Sequence, residues 1–446
     1  MLDELIKKVA VIGAAGKMGG GISLLLLQEM AKKELESSGK VGSGDYCLYL
    51  IDKNEKGLFE LKKSLSNNLL KFAEKNINFI RKGYEKNSNL ISNEEIIRAF
   101  VDGAGDIVRL HNHLDGANNA DLVFEAVIED LSAKEEVFNT LKNGKKYFFT
   151  NTSSIPIKLL NETCKLDNKI IGFHFYNPPP VQKLIEFIAP KQIDKQLYEI
   201  STELAKRLQK KIIPSNDIAG FIGNGHFMRE VIYALKLTKK LAAEKKIALT
   251  DAIYIINLIS QEYLLRPMGI FQLIDYVGID VVQNILKIMS KYLPDPNLHD
   301  DIIDDMVRKG VKGGQNVDGS QKKGFFEYDK HTISGSYSLE ENKYLKNDII
   351  RDRNAHFFRF KPSLNWKSLV HDKNKEPKIA DYIIELFSSD LEDAKLAQEY
   401  LKESKKIALK LVKDGVANKI EDVNAVLENG FFHAYGVGTL KIPGND

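Results

Sequence analysis

The stretch Val9-Ala-Val-Ile-Gly-Ala-Ala-Gly-Lys-Met-Gly19 decides how this chain is read. A β-branched run passes directly into a glycine-spaced turn and then into the apolar helical pattern around Ile22 to Leu27. Strand, glycine turn and helix, in that order, form the phosphate-binding end of a dinucleotide-binding α/β unit. Gly13 permits the tight turn, Gly16 or Ala15 lets backbone approach a pyrophosphate, and Gly19 lets helix and strand pack closely. Lys17 and Met18 complete the turn, where the helix start directs N–H groups at phosphate. The next strand, Cys47 to Ile51, ends in Asp52. Its carboxylate is suited to accept from the adenosine ribose hydroxyls and to repel a 2′-phosphate, so NAD is expected over NADP. Between glycines and acid lies Lys32 to Asp45, containing Ser37-Ser-Gly-Lys-Val-Gly-Ser-Gly44, which reads as an inserted helix end plus loop.

Outward from that turn, short strand-like runs alternate with helical stretches as far as about residue 215: Leu122 to Glu125, Tyr147 to Thr150, Ile170 to Phe175, Leu184 to Ile188 and Lys211 to Pro214. This is the pattern of a doubly wound parallel sheet, an α/β fold class. From Phe221 to Lys291 apolar residues recur at spacings of three and four, so an all-α domain is expected to follow. Lys239 to Gly269 can be laid against Ala408 to Gly436, which points to a duplicated helical unit. The expected organisation is a Rossmann-type domain over 1–216, a first helical unit over 217–330, and an insertion with a second helical unit over 331–446. Asp329 to Pro377 is polar and dotted with aromatics, and is read as an insertion.

Composition narrows the partners. With 446 residues, 43% hydrophobic and 28% charged, the chain can bury a large core over two or three domains. A formal charge of +3 leaves no footprint for nucleic acid or membrane. Two cysteines, Cys47 and Cys164, supply neither a disulfide framework nor a cysteine-based zinc site. Met1 to Lys8 leaves no room for a secretory signal, and no apolar stretch approaches the roughly 20 residues that span a bilayer. A cytoplasmic setting is expected. His111-Asn-His113 has metal-ligand spacing but no partner cluster, so no metal site is expected.

The densest chemistry lies further on. Ala120 to Asp130 carries Glu125 at a strand's carboxyl end, the edge at which open α/β sheets bind ligands. Asn151-Thr-Ser-Ser154 is followed by Gly172-Phe-His-Phe-Tyr-Asn-Pro-Pro-Pro180 and Lys183-Leu-Ile-Glu186. His174 and Glu186 fall on successive strand-like runs, so neighbouring-strand pairing would set a carboxylate against an imidazole, a base with its orienting group. Ser153 and Asn177 surround them in sequence.

These residues resemble the L-3-hydroxyacyl-CoA dehydrogenase family of fatty-acid β-oxidation. The resemblance runs in family order through the glycine turn, EAVIED from Glu125, NTSSIP from Asn151, GFHFYNPPPVQKLIE from Gly172, DIAGFIGN from Asp217, RPMGIFQLIDYVG from Arg266 and KKGFFEY from Lys322. The tail ending at Glu428-Asn-Gly-Phe-Phe-His-Ala-Tyr-Gly436 resembles the second C-terminal unit of longer members. The resemblance implies NAD-dependent oxidation of a (3S)-3-hydroxyacyl-CoA to the 3-ketoacyl-CoA, with His174 as general base and Glu186 as its partner. It implies that Ser153 and Asn224 contact the reacting part of the substrate, and that Asn177, Glu125 and Asp52 contact the cofactor. The offsets where the family places a Ser and a Lys near CoA hold Asn68 and Lys75 here. Departures are a glycine turn one residue longer than usual, Gly225 after Asn224 where a basic residue is common, and Ser320-Gln-Lys-Lys323 near the end of the match. Enoyl-CoA hydratase and thiolase steps are expected on separate proteins, and the tail is expected to pack on the first helical unit, which allows a monomer as well as a homodimer. A dehydrogenase of a 3-hydroxy acid without CoA, and a catalytically idle NAD-binding scaffold subunit, are the alternative readings.

Overall fold

The computed structural model describes residues 1–316, 319–330 and 332–443. The chain divides into two compact units, Met1–Asp217 and Ile218–Asp446. Residues expected as separate segments, 217–330 and 331–446, therefore fall together in the second unit, apart from Asp217.

The first unit is built on eight strands: β1 (Lys8–Ile12), β2 (Cys47–Ile51), β3 (Val108–His111), β4 (Leu122–Glu125), β5 (Tyr147–Thr150), β6 (Ile170–Phe175), β7 (Leu184–Ile188) and β8 (Lys211–Ser215). Their order is β3-β2-β1-β4-β5-β6-β7-β8. The first six are parallel, β7 runs antiparallel to β6, and β8 is parallel to β7. Chain order reverses at β1, with β2 on one side and β4 on the other, which opens the crevice where such sheets bind ligands. The central strands are enclosed on both faces, so they read as continuous apolar runs rather than alternating ones. Phe124 stacks on its register partner Phe149 at 4.5 Å, and Phe173 meets Phe149 edge-on at 5.4 Å. Cross-strand aromatic pairs of this kind resist slippage of the ladder.

Two features depart from the expected pattern. β3 is an added edge strand of four residues that follows the helix Asn93–Ile107 without a break. The 32–45 insertion is folded: the helix Lys17–Ser38 runs through its first half, and the buried Glu34 accepts from Gly42 N, Ser43 N and Ser43 Oγ, stitching the loop back onto the helix.

In the second unit the helices Gly223–Lys245, Leu249–Leu258, Ile270–Val277 and Ile279–Tyr292 are followed by a three-stranded antiparallel sheet, β9 (Phe326–Asp329), β10 (Thr332–Ser338) and β11 (Lys343–Lys346). This sheet is an addition to the helical unit expected there. Its entrance is clamped by Asp275, whose carboxylate accepts from Phe325 N at 2.6 Å, Phe326 N at 2.9 Å and Tyr328 Oη at 2.8 Å. Burial outweighs those donors and pushes the Asp275 carboxyl up to about 7. The 329–377 insertion is likewise tied in, since the buried Asp393 accepts from Arg359 N, Phe360 N and Tyr263 Oη.

The tail helices Glu392–Lys413 and Ile420–Gly430 pack on Gly223–Lys245. Phe227 meets Phe431 at 5.9 Å, and Tyr233 meets Tyr400 at 5.5 Å. An equivalent hydrogen bond occurs at each half of the sequence repeat: Asn257 Oδ1 accepts from Phe271 N fourteen residues on, and Asn424 Oδ1 accepts from Gly438 N fourteen residues on. Among the described residues no helix is long and apolar enough to cross a membrane.

Candidate active site

Because β1, β2, β4, β5 and β6 are parallel, their carboxyl ends meet at one edge of the first unit, which carries the glycine turn, Asp52, Glu125, the Ser153 loop and His174. The glycine turn follows β1. Gly13 has φ +79°, and a Cβ on it would lie 2.5 Å from Ala126 O, so only glycine fits between β1 and the segment after β4. A Cβ on Gly19 would lie 2.1 Å from Gly13 O, which is the close helix approach the motif requires. Lys17, Met18 and Gly19 form the first turn of Lys17–Ser38, with Gly16 as N-cap; no side-chain cap and no acidic residue stands in that first turn. Such a helix end fits a phosphate group.

Asp52 closes the turn from β2. Its Oδ2 accepts from Ala15 N at 3.0 Å and its Oδ1 from Asn54 N at 2.9 Å, so the acid fixes the glycine turn as well as ending the strand. Asp52→Asn keeps one acceptor and loses the charge. The expected result is an NAD dissociation constant raised about tenfold and a smaller preference over NADP, checked by titrating both cofactors. Unchanged selectivity would remove Asp52 from the ribose end.

Glu125 ends β4 with its carboxylate enclosed, accepting from Val127 N at 2.8 Å, Lys134 Nζ at 2.8 Å and Thr150 Oγ1 at 2.5 Å. The carboxylate that reaches the Ser153 loop is Glu129, which sequence reasoning did not single out. One of its oxygens accepts from Thr152 Oγ1, Ser153 N, Ser153 Oγ, Ser154 N and Ser154 Oγ at 2.7–3.3 Å, while the other faces Lys134 Nζ at 3.3 Å. Burial raises the Glu129 carboxyl, but Lys134 and the hydroxyl and amide donors outweigh it and hold it below its ordinary value. Lys134, buried at 1% exposure, keeps its charge because two carboxylates offset its desolvation. Glu125-x3-Glu129-x4-Lys134 is a spacing that signals such a network.

The Ser153 loop is tied to the next strand by Asn151, whose Oδ1 accepts from Phe175 N at 2.8 Å. His174 and Glu186 are register partners across the antiparallel β6–β7 ladder. His174 Nδ1 lies 3.3 Å from Glu186 Oε2, and both side chains are buried. Tyr176, a second residue the sequence reading passed over, donates from Oη to the same Glu186 oxygen at 2.9 Å. The turn after β6 carries the half-buried Asn177, whose carbonyl faces Gln182 Nε2 at 3.5 Å. Lys210 Nζ holds Pro179 O and Gln182 O, both at 2.6 Å, and burial draws its ammonium down to about 8.

Asn68 and Lys75 lie on the helix Glu55–Lys75; Asn68 Nδ2 donates to Ser64 O at 2.8 Å, and Lys75 is exposed at the helix end. Asn224 lies in the second unit, in the first turn of Gly223–Lys245. Among the described residues no group of three histidines, cysteines or acids is placed to hold a metal ion.

Residues 46–218 match the sequence model of the 3-hydroxyacyl-CoA dehydrogenase NAD binding domain, and residues 220–323 match that of the 3-hydroxyacyl-CoA dehydrogenase C-terminal domain. The chain belongs to the 3-hydroxyacyl-CoA dehydrogenase family. It is thus an NAD-dependent oxidoreductase of that family, with NAD as the cofactor of its first unit. The chain is 27% identical over 285 residues to human mitochondrial hydroxyacyl-coenzyme A dehydrogenase, covering 63% of this chain and 79% of that protein. It is 27% identical over 343 residues to a probable 3-hydroxybutyryl-CoA dehydrogenase of Bacillus subtilis, covering 73% and 99%. Among solved structures, 3-hydroxybutyryl-CoA dehydrogenase from Escherichia coli K12 shares the fold with a TM-score of 0.59 at 18% identity, over 97% of this chain and 90% of that one. The shared fold therefore extends beyond residue 323.

Proposed function

We propose that this chain oxidises (3S)-3-hydroxyacyl-CoA to 3-ketoacyl-CoA, with His174 as general base and Glu186 as its partner. The observation that carries the reading is the His174–Glu186 pair on facing strands, at the sheet edge that also bears the glycine turn and the Ser153 loop. Glu186 accepts from Nδ1–H, which leaves Nε2 as the acceptor for the substrate's hydroxyl proton. A neutral imidazole so oriented is suited to this task near pH 7, and the buried carboxylate stabilises the imidazolium that forms. NAD, when bound, supplies the hydride acceptor. Gly13, Gly16, Lys17, Met18, Gly19 and Asp52 would hold it, with Asn177 beside the base and Glu125 supporting the site through Lys134.

Ser153 holds the substrate oxygen in this reading, and Asn224 keeps the substrate contact that the resemblance implies. Glu129 accepts from the main-chain N–H and the hydroxyl of Ser153, so the Ser153 oxygen is fixed in place before substrate arrives. Lys75 offers a charge to CoA, with Asn68 two turns before it on the same helix.

Following NADH formation over a series of (3S)-3-hydroxyacyl-CoA lengths, beside the free 3-hydroxy acids, tests the proposal. Turnover of the thioesters with little of the free acids is the expected result. Equal turnover of free acids would overturn the CoA assignment, and no turnover of either would favour the scaffold reading.

A further inference from the structure

Tyr176 lies immediately after β6, two residues beyond His174 and on the same face of the extended chain. Its ring stands 4.9 Å from the imidazole, tilted by 44°. Its hydroxyl does not point to open solvent. It donates to Glu186 Oε2 at 2.9 Å, the very oxygen that faces His174 Nδ1 at 3.3 Å. One carboxylate oxygen thus serves two donors, and the phenol is the nearer.

We infer that Tyr176 is a positioning residue for the base, dividing the charge of Glu186 with His174 and so setting how strongly the imidazolium is stabilised. The inference rests on the reading of His174 as base. A hydrogen bond to an ionised carboxylate spreads its charge and stiffens its orientation. With the phenol in place, Glu186 is a weaker acceptor for Nδ1–H and cannot swing away from it. Burial and the Glu186 charge hold the phenol well above its ordinary value, so it stays a donor throughout the working range.

The charged groups around the trio are themselves engaged. His174 comes from β6 and Glu186 from β7, where Glu186 pairs in register with the apolar Ile213 of β8. Lys210, just before β8, is bound to two carbonyls of the proline turn. On the β5 side, Glu129 is paired with Lys134 and the Ser153 loop. Tyr176 is therefore placed to tune Glu186 from within this face of the sheet.

The test is Tyr176→Phe, which removes one oxygen and keeps the ring. Measured on the acid limb, oxidation should lose about three- to tenfold with little change in KM for NAD, because that limb should move to higher pH by about half a unit or more. In the reverse direction, where the imidazolium donates the proton, the basic limb should move the same way. A packing defect would lower both rates without moving either limb. In a Glu186→Gln background the same substitution should produce no further displacement, because the charge it divides is gone. Profiles of Tyr176→Phe that superimpose on the parent overturn the inference. His174→Gln separates the two levels: if that variant is inactive while Tyr176→Phe leaves the profile unmoved, only the role of Tyr176 falls; if it stays active, the base assignment falls first and the inference with it.

Discussion

His174→Gln should abolish most turnover while NADH still binds. General acid–base groups contribute about 10²- to 10⁴-fold, and a loss of that size is expected in kcat. In the proposed reading the cofactor is held mainly by the turn after β1 and by Asp52 after β2, segments that share no residue with the base, so a fluorescence titration with NADH should give a near-parental dissociation constant. Glutamine preserves the β6 ladder and most of the side-chain volume. Near-normal turnover in the purified variant would sink the assignment. Glu186→Gln should cost less, since an acceptor oxygen remains and only the charge is lost.

The largest effect on stability is expected at Arg266. Its guanidinium grips Glu230 with two hydrogen bonds of 3.0 and 2.8 Å, donates to Ser404 Oγ at 3.1 Å, and lies 5.5 Å from the Tyr400 ring centre. Arg266 and Glu230 are 6% and 3% exposed, so each depends on the other for compensation. Arg266→Met leaves a buried carboxylate without its cation and should cost about 3–5 kcal/mol. The double variant Arg266→Met, Glu230→Leu should regain most of it, because a buried pair contributes little beyond its apolar replacement. Urea unfolding followed by the single tryptophan, Trp366, reads this directly, since that residue lies in the same unit. A single variant within about 1 kcal/mol of the parent would contradict the argument.

The same pair sets a pH dependence. Burial raises the Glu230 carboxyl, but Arg266 and His226 overcome it and hold it at about 2. The unfolded chain binds that proton at a higher pH, so the contribution is complete above about 4.5 and is lost as pH falls toward 2.

How far the sequence was legible follows from what each residue depends on. His174 and Glu186 could be paired on paper because strand periodicity and the proline turn bring consecutive runs side by side. The glycine turn and Asp52 were legible because their chemistry is local to a strand end. β3 was not: four residues that include Arg109, at a sheet edge and fused to a helix, give no period to read. β10 was hidden for a related reason, since Thr332-Ile-Ser-Gly-Ser-Tyr-Ser338 has the composition of a loop and becomes a strand through its neighbours. Glu129 escaped because its role is set by donors 23 to 25 residues later in the chain. Tyr176 escaped because a strand-end tyrosine beside a histidine reads as packing until its hydroxyl partner is seen.

The β6–β7 pairing also has a practical meaning. The proposed base and its partner are brought opposite each other by the same backbone ladder that holds the two strands, so a ladder slipped by one residue would turn Glu186 to the other face of the sheet and, in this reading, leave His174 without its carboxylate. In that reading a refolded sample needs the β6–β7 register as well as its helices to regain turnover, so helical signal alone does not report an active preparation.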